Sequence, residues 1–261
     1  MRFARLHRSG SSNKVIASPA TAARIRLADG MNYFLDSFLA ALKLIFQFDL
    51  KTYRIVWTSL ELSLSATALA AALAVPLGAY AALREFAGKR LLQQLLNTLM
   101  AMPTVMIGLI FYGFFSRQGP LGELGLLYTP TAVIIGETTL IFPLIMNLAM
   151  TAVQSADARL FATLLALGAT GWQQLRLVLS EIRLALFVAV VTGFGRAIGE
   201  VGTAMMLGGN IQGLTRTMTT AIALETNKGE FELGLALGLL LLLIAFAVNF
   251  LLQNLQRRDV R

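Results

Sequence analysis

The chain has 261 residues, 56% of them hydrophobic and 14% charged, with a mean hydropathy of +0.69; a soluble domain carries about 25% charged residues, so this is one integral membrane domain with no large soluble unit beside it. The net charge is +8, cysteine is absent and His7 is the sole histidine, which excludes disulfides, thiolate chemistry, histidine acid–base catalysis and His/Cys metal sites. No glycine loop with Lys and Ser/Thr of the Walker type occurs, so the expectation is a chain with no catalytic residue, no metal, no cofactor and no nucleic-acid partner.

Residues 1–30 hold Arg2, Arg5, Arg8, Lys14, Arg24 and Arg26 against Asp29. They lack the apolar core of a secretory signal and read as a basic, disordered arm or an over-long gene start. In residues 31–50, Asp36, Lys43 and Gln47 recur at seven and four residues, which puts them on one helical face away from Phe34, Phe38, Leu42, Ile45 and Phe46. That pattern fits an interfacial helix, with a sixth span as the alternative.

A bilayer core of about 30 Å needs about 20 apolar helical residues, and the chain offers such runs at 55–83, 92–115, 130–153, 184–207 and 232–255. Pro76, Pro103 and Pro143 fall inside three of them, where a membrane bundle tolerates a kink. Frequent glycine and alanine favour close helix packing. The loops on one side carry Arg84, Lys89, Arg90, Arg159, Arg176, Arg183, Arg257, Arg258 and Arg261, against Arg117, Arg216 and Lys228 on the other. The first side is expected to be cytoplasmic, together with the C-terminus, which with five spans puts residues 31–50 outside; the basic arm before residue 31 argues the other way, because a sixth span would bring it into the cytoplasm.

The link between the third and fourth spans is too apolar to be only a turn. "SADARLFATLLALGATGWQQLRLVLSEIRLAL", residues 155–186, alternates leucines with Asp157, Arg159 and Thr163 and sets Gly168 and Gly171 around a bend. It reads as two short amphipathic helices, fit either for the membrane surface or for a soluble partner's groove. Residues 166–186 resemble the cytoplasmic loop of binding-protein-dependent ABC importer permeases, where a glycine separates two short helices that enter a cleft of the ATPase. Gly168 takes that glycine's place; Ala162 and Thr163 stand where the family has an acidic residue and an alanine, and Ser180–Glu181 replace a late proline. The resemblance implies an ATPase-coupling loop over 155–183 that uses Asp157, Arg159, Leu164, Leu167, Gly168, Ala169, Gly171, Trp172 and Arg176.

"GFGRAIGEVGTAMMLGGNI", residues 193–211, and "TRTMTTAIALETNKGEFELGLALGL", residues 215–239, are similar to the permeases of molybdate and tungstate importers, the tungstate type above all. What this resemblance implies is an all-α, type I importer permease: five core transmembrane helices plus an N-terminal interfacial or sixth helix, with residues 51–258 as the permease domain. It further implies a homodimer in the lipid of the cell inner membrane, two copies of an ATP-binding cassette ATPase, an extracytoplasmic oxyanion-binding protein and an oxyanion path along the dimer axis.

Arg196 and Glu200 are four residues apart, so an unbroken helix would let them pair on one face. An isolated charge at a helix centre costs about 2.5–3.5 kcal/mol on insertion scales; both are expected to turn from lipid and to form a network with Glu137, either as a structural lock or as a lining of the path. Gly208, Gly209 and Asn210 should release the helix. After them Thr215, Arg216, Thr217, Thr219 and Thr220 supply hydroxyls and a cation for a concave anion site or gate, the plain alternative being a re-entrant turn. Rival readings are a permease for molybdate or another oxyanion, an ion-coupled secondary carrier that uses the three intramembrane charges, and a membrane assembly factor.

Overall fold

The computed structural model describes residues 35–157, 163 and 166–259. The arm at 1–30, the start of the 31–50 segment, and Arg159 and Leu164 of the coupling loop lie outside the described residues. All described secondary structure is helical.

Residues 35–46 form α1, with Ser37 and Ala41 buried and Asp36 and Lys43 exposed, together with Gln47 just beyond it. At about 1.5 Å per residue its described part is about 18 Å long. Asp49 then starts α2 (Leu50–Leu83): its carboxylate accepts from the Thr52 amide at 2.9 Å and from the Thr52 hydroxyl at 2.8 Å.

The main helix pair is α2 against α5 (Pro130–Gln154). On α2, Leu62, Ala66, Ala70, Ala74 and Gly78 recur every four residues and are buried, so the small ones form a groove that admits the facing backbone. At Gly78 the approach is closest: a Cβ there would stand 2.6 Å from the Met146 carbonyl oxygen. The Thr138 hydroxyl crosses to the Ala66 carbonyl at 3.3 Å. Pro76 and Pro143 remain inside continuous helices, as expected of a membrane bundle.

Two expected spans are broken. The run 92–115 is α3 (Lys89–Met100) and α4 (Thr104–Phe115), which meet at 94°. Pro103 has no N–H to donate and pushes the preceding residue out of the helical region, and here that ends the helix instead of kinking it. The run 184–207 is α7 (Arg183–Ile198) followed by α8 (Gly202–Gly208), separated at Gly199–Val201. Before α7 comes α6 (Gly171–Glu181), which meets it at 73°. After α8 come α9 (Met218–Lys228) and α10 (Phe231–Asp259); α10 buries Ala236 and Leu237 and leaves Leu242, Leu243, Phe246 and Phe250 exposed, as a lipid-facing surface requires. Three helices (α2, α5 and α10) are long and apolar enough to cross a membrane, and up to five spans result if each bent pair is one span, among the described residues.

Candidate functional site

The segment expected to couple to an ATPase contains a surface helix held from beneath. Gly168 has φ +66°, a left-handed conformation that a residue with a Cβ adopts at a cost of about 1–2 kcal/mol, which explains the glycine at this bend. Thr170 and Gln173 form a reciprocal capping box that starts α6. Leu175, Val178 and Ile182 are buried with Ala79 of α2 and Ala149 and Val153 of α5, and Ala169 packs on the edge of this cluster. The other face is bare: Leu167 is 76% and Trp172 73% exposed, and Asp157, Gly171, Arg176 and Leu177 are exposed too. Exposed apolar anchors above buried ones make α6 a rigid knob at one end of the bundle, here the loop end.

The expected charge network is corrected by the break after α7. Gly199 closes that helix, so Glu200 no longer lies on the face of Arg196 and the i, i+4 pair does not form. Glu200, 4% exposed, turns inward and caps α8: its Oε1 accepts from the Thr203 amide at 3.0 Å. The Thr219 hydroxyl donates to the Glu200 carbonyl at 2.5 Å. Glu137 is 1% exposed with Ser63 and Glu200 as polar neighbours, and its Oε2 accepts no hydrogen bond among the described residues. Two of the three charges thus converge. Arg196 is exposed on α7 and makes no ion pair among the described residues.

The segment after α8 turns where expected: Gly209 has φ +64° and Asn210 φ +53°. A Cβ at Gly208 would stand 2.8 Å from the Val133 side chain, and one at Gly209 2.6 Å from the Tyr128 ring. The threonines, however, are spent on the fold. The Thr215 hydroxyl donates to the Gly208 carbonyl at 2.5 Å and accepts from the Ile211 amide at 3.0 Å. Thr217 and Thr220 cap α9 reciprocally, and Thr217 also meets Thr219 at 3.0 Å. All four are buried. Arg216 lines an open cavity, its guanidinium held by the Asn210 carbonyl at 3.3–3.4 Å.

A family profile described as "Binding-protein-dependent transport system inner membrane component" matches residues 74–259. The chain belongs to this family. It is 42% identical over 226 residues to the tungstate uptake system permease protein of Peptoclostridium acidaminophilum, a match that covers 87% of this chain and 99% of that protein. With the tungstate uptake system permease protein of Campylobacter jejuni it is 39% identical over 227 residues, covering 87% and 95%. A probable anion ABC transporter permease protein of Haloferax volcanii is 40% identical over 198 residues, covering 74% and 85%.

Several polar residues of this permease escaped the sequence reading. A cleft of about 620 Å³ between α5 and α7 is lined in part by Thr151, Ser155 and Thr192. Each hydroxyl returns to a carbonyl four residues earlier, at 3.0, 2.9 and 2.8 Å, which satisfies its donor without a partner helix. Asn147 bonds Asn97 across α5 and α3 at 3.0 Å. Arg196 follows Thr192 by one turn, so hydroxyl and cation share the exposed stripe of α7. The i, i+4 recurrence of Asn147, Thr151 and Ser155 was the available signal. Lys51 and Arg54, in the first turns of α2, were missed because the first span was started at residue 55.

Proposed function

We propose that this permease is the membrane-spanning subunit of an ATP-driven importer that carries tungstate into the cytoplasm. The observation that carries the reading is the likeness to tungstate uptake system permeases, which covers 87% of this chain and 95–99% of those proteins. The loop end, rich in arginine, faces the cytoplasm with the C-terminus. ATP hydrolysis belongs to two copies of a separate ATPase subunit docked on the 155–183 loops, and an extracytoplasmic binding protein delivers the oxyanion to the opposite end.

The exposed Arg196 supports a homodimer. A charge left in lipid costs about 2.5–3.5 kcal/mol, so a second copy or a water-filled path must cover the α5–α7 face. An arginine on that face meets a passing dianion with opposite charge, whereas Glu137 and Glu200 stay buried inside the subunit.

Coupling follows from the anchoring of α6. Leu175, Val178 and Ile182 bind it to α2 and α5, and the 73° bend leads directly into α7, which carries Arg196. When the ATPases close, displacement of α6 acts as a lever on α7. Such a shift moves cargo only because the two states differ in their free energy with nucleotide bound.

The test is tungsten accumulation in washed cells with and without this gene, read by mass spectrometry, with molybdate and sulfate as competitors. Gene-dependent accumulation that resists excess molybdate is expected. Equal competition by molybdate would replace tungstate with a general oxyanion, and accumulation independent of the gene would reject the importer reading.

A further inference from the structure

At the end of the bundle opposite the coupling loop lies a cavity of about 340 Å³ between the first turns of α2 and the loop before α9. Three cationic side chains line it: Lys51 and Arg54, three residues apart on one face of α2, and Arg216 from the loop. Thr58, Gln212 and Gly213 are also part of the lining. We infer that this cavity is a docking subsite for a tetrahedral oxyanion, formed by Lys51, Arg54 and Arg216.

The charges near the cavity leave a positive excess. Glu225 lies 3.7 Å from Arg216 but also holds Lys228 at 3.1 Å. Asp49, the cap before α2, adds one negative charge that acts on Lys51, so the three lining cations still outnumber it together with the Glu225 shared with Lys228. Neither Lys51 nor Arg54 forms an ion pair among the described residues.

The geometry also favours an oxyanion over a simple halide. Two nitrogens of Arg216 donate to the Asn210 carbonyl, which fixes the plane of the guanidinium before any ligand arrives. The planar fork of Arg54, which no ion pair occupies among the described residues, presents paired donors to two oxygens of one anion, whereas Lys51 adds a mobile point charge. Gly213, with φ +79° and open space where a Cβ would stand, leaves the cavity wall clear. Exposed Leu50 also lines the cavity, so the same chemistry is within reach of a free oxyanion from water and of the phosphate of an anionic lipid.

The subsite does not depend on the importer reading, and its test is direct. The full-length permease is placed in phosphatidylcholine nanodiscs, and amine labelling of Lys51 is followed by mass spectrometry in tungstate, inorganic phosphate or chloride at equal ionic strength. Lys89, on α3 at the other end, serves as the internal control. Tungstate and phosphate should protect Lys51 and chloride should not; loss of one charge-assisted bond in Arg54→Gln should raise the concentration needed about tenfold. Protection in phosphatidylglycerol nanodiscs that soluble oxyanions do not increase, and that Arg54→Gln also weakens, would assign the site to a lipid phosphate. Labelling that is equal in all three anions and both lipids overturns the subsite, as does protection that Arg54→Gln leaves intact or that needs an added binding protein. Arg216→Lys, which keeps the charge but removes the fixed guanidinium, should weaken protection at a temperature where both proteins remain folded. Lost tungsten uptake with retained protection would sink the importer reading alone.

Discussion

The guanidinium of Arg216 lies 3.7 Å from the carboxylate of Glu225, and both side chains are largely shielded from solvent. Lys228 reaches the same carboxylate at 3.1 Å but remains half exposed. These two cations should therefore differ in what they contribute. Glu225→Gln strips a shielded arginine of its counter-charge and should cost about 1–3 kcal/mol, whereas Lys228→Gln should stay within about 1 kcal/mol. Thermal unfolding in detergent measures both; equal losses would mean that Arg216 is not held by Glu225.

The α2–α5 seam predicts a second contrast. A side chain at Gly78 has nowhere to go, because the Met146 carbonyl stands 2.6 Å from the Cβ position and belongs to backbone that cannot rotate away. Gly78→Val should lower stability by about 1–3 kcal/mol or more through overpacking. Gly113 on α4 has open space at the same position, and Gly113→Ala should leave unfolding unchanged or slightly raised. A tolerated Gly78→Val would show that the helices are not in this close contact.

On the proposed coupling segment, burial separates folding from docking. Leu167→Asp and Trp172→Asp alter exposed side chains, so the permease should be recovered folded and in normal amount while co-purification with its ATPase subunit falls. Val178→Asp puts a charge at a fully buried position and should abolish folding. ATPase binding unaffected by either of the first two changes would remove this helix from the interface.

Asp49 supplies a pH dependence. Its hydrogen bonds from the Thr52 amide and hydroxyl hold its carboxyl below the ordinary carboxylate range. A depressed folded-state value means that the cap's contribution is present above the unfolded value and is lost as pH falls through the folded one. Wild-type protein should therefore lose stability relative to Asp49→Asn on acidification from neutral pH to below the ordinary carboxylate range, as read by melting at both values. Parallel pH curves for the two proteins would remove the cap from α2's start.

What could be read in the sequence follows from how local each signal is. The four-residue spacing of Leu62, Ala66, Ala70, Ala74 and Gly78 marks a groove without any tertiary knowledge, and the bend at Gly168 needs only the chirality of an amino acid. Pro76, Pro103 and Pro143 look alike in apolar runs, yet only Pro103 ends its helix, because neighbours hold the other two helices together. Glu200 looked like a partner for Arg196 so long as the helix was taken to continue past Gly199. The threonines at 215, 217, 219 and 220 looked free because their acceptors, among them the carbonyls of Gly208 and Glu200, come into reach only after folding. Lys51 and Arg54, far from Arg216 in the sequence, come to line the same cavity only after folding.

The break at Gly199 gives the last prediction. If Arg196 and Glu200 do not touch, their substitutions act independently: the stability losses of Arg196→Gln and Glu200→Gln should add to within about 0.5 kcal/mol in the double variant. Glu137 and Glu200 are neighbours, so Glu137→Gln and Glu200→Gln should depart from additivity, since removal of one buried carboxylate changes the surroundings of the other. Thermal or denaturant unfolding of the three single and two double variants supplies both cycles. Exchange of the charges as Arg196→Glu with Glu200→Arg should then restore neither assembly nor transport. Recovery in that swap, with strong coupling between positions 196 and 200, would mean that α7 runs through Gly199 in the working protein and that the inward turn of Glu200 is absent there.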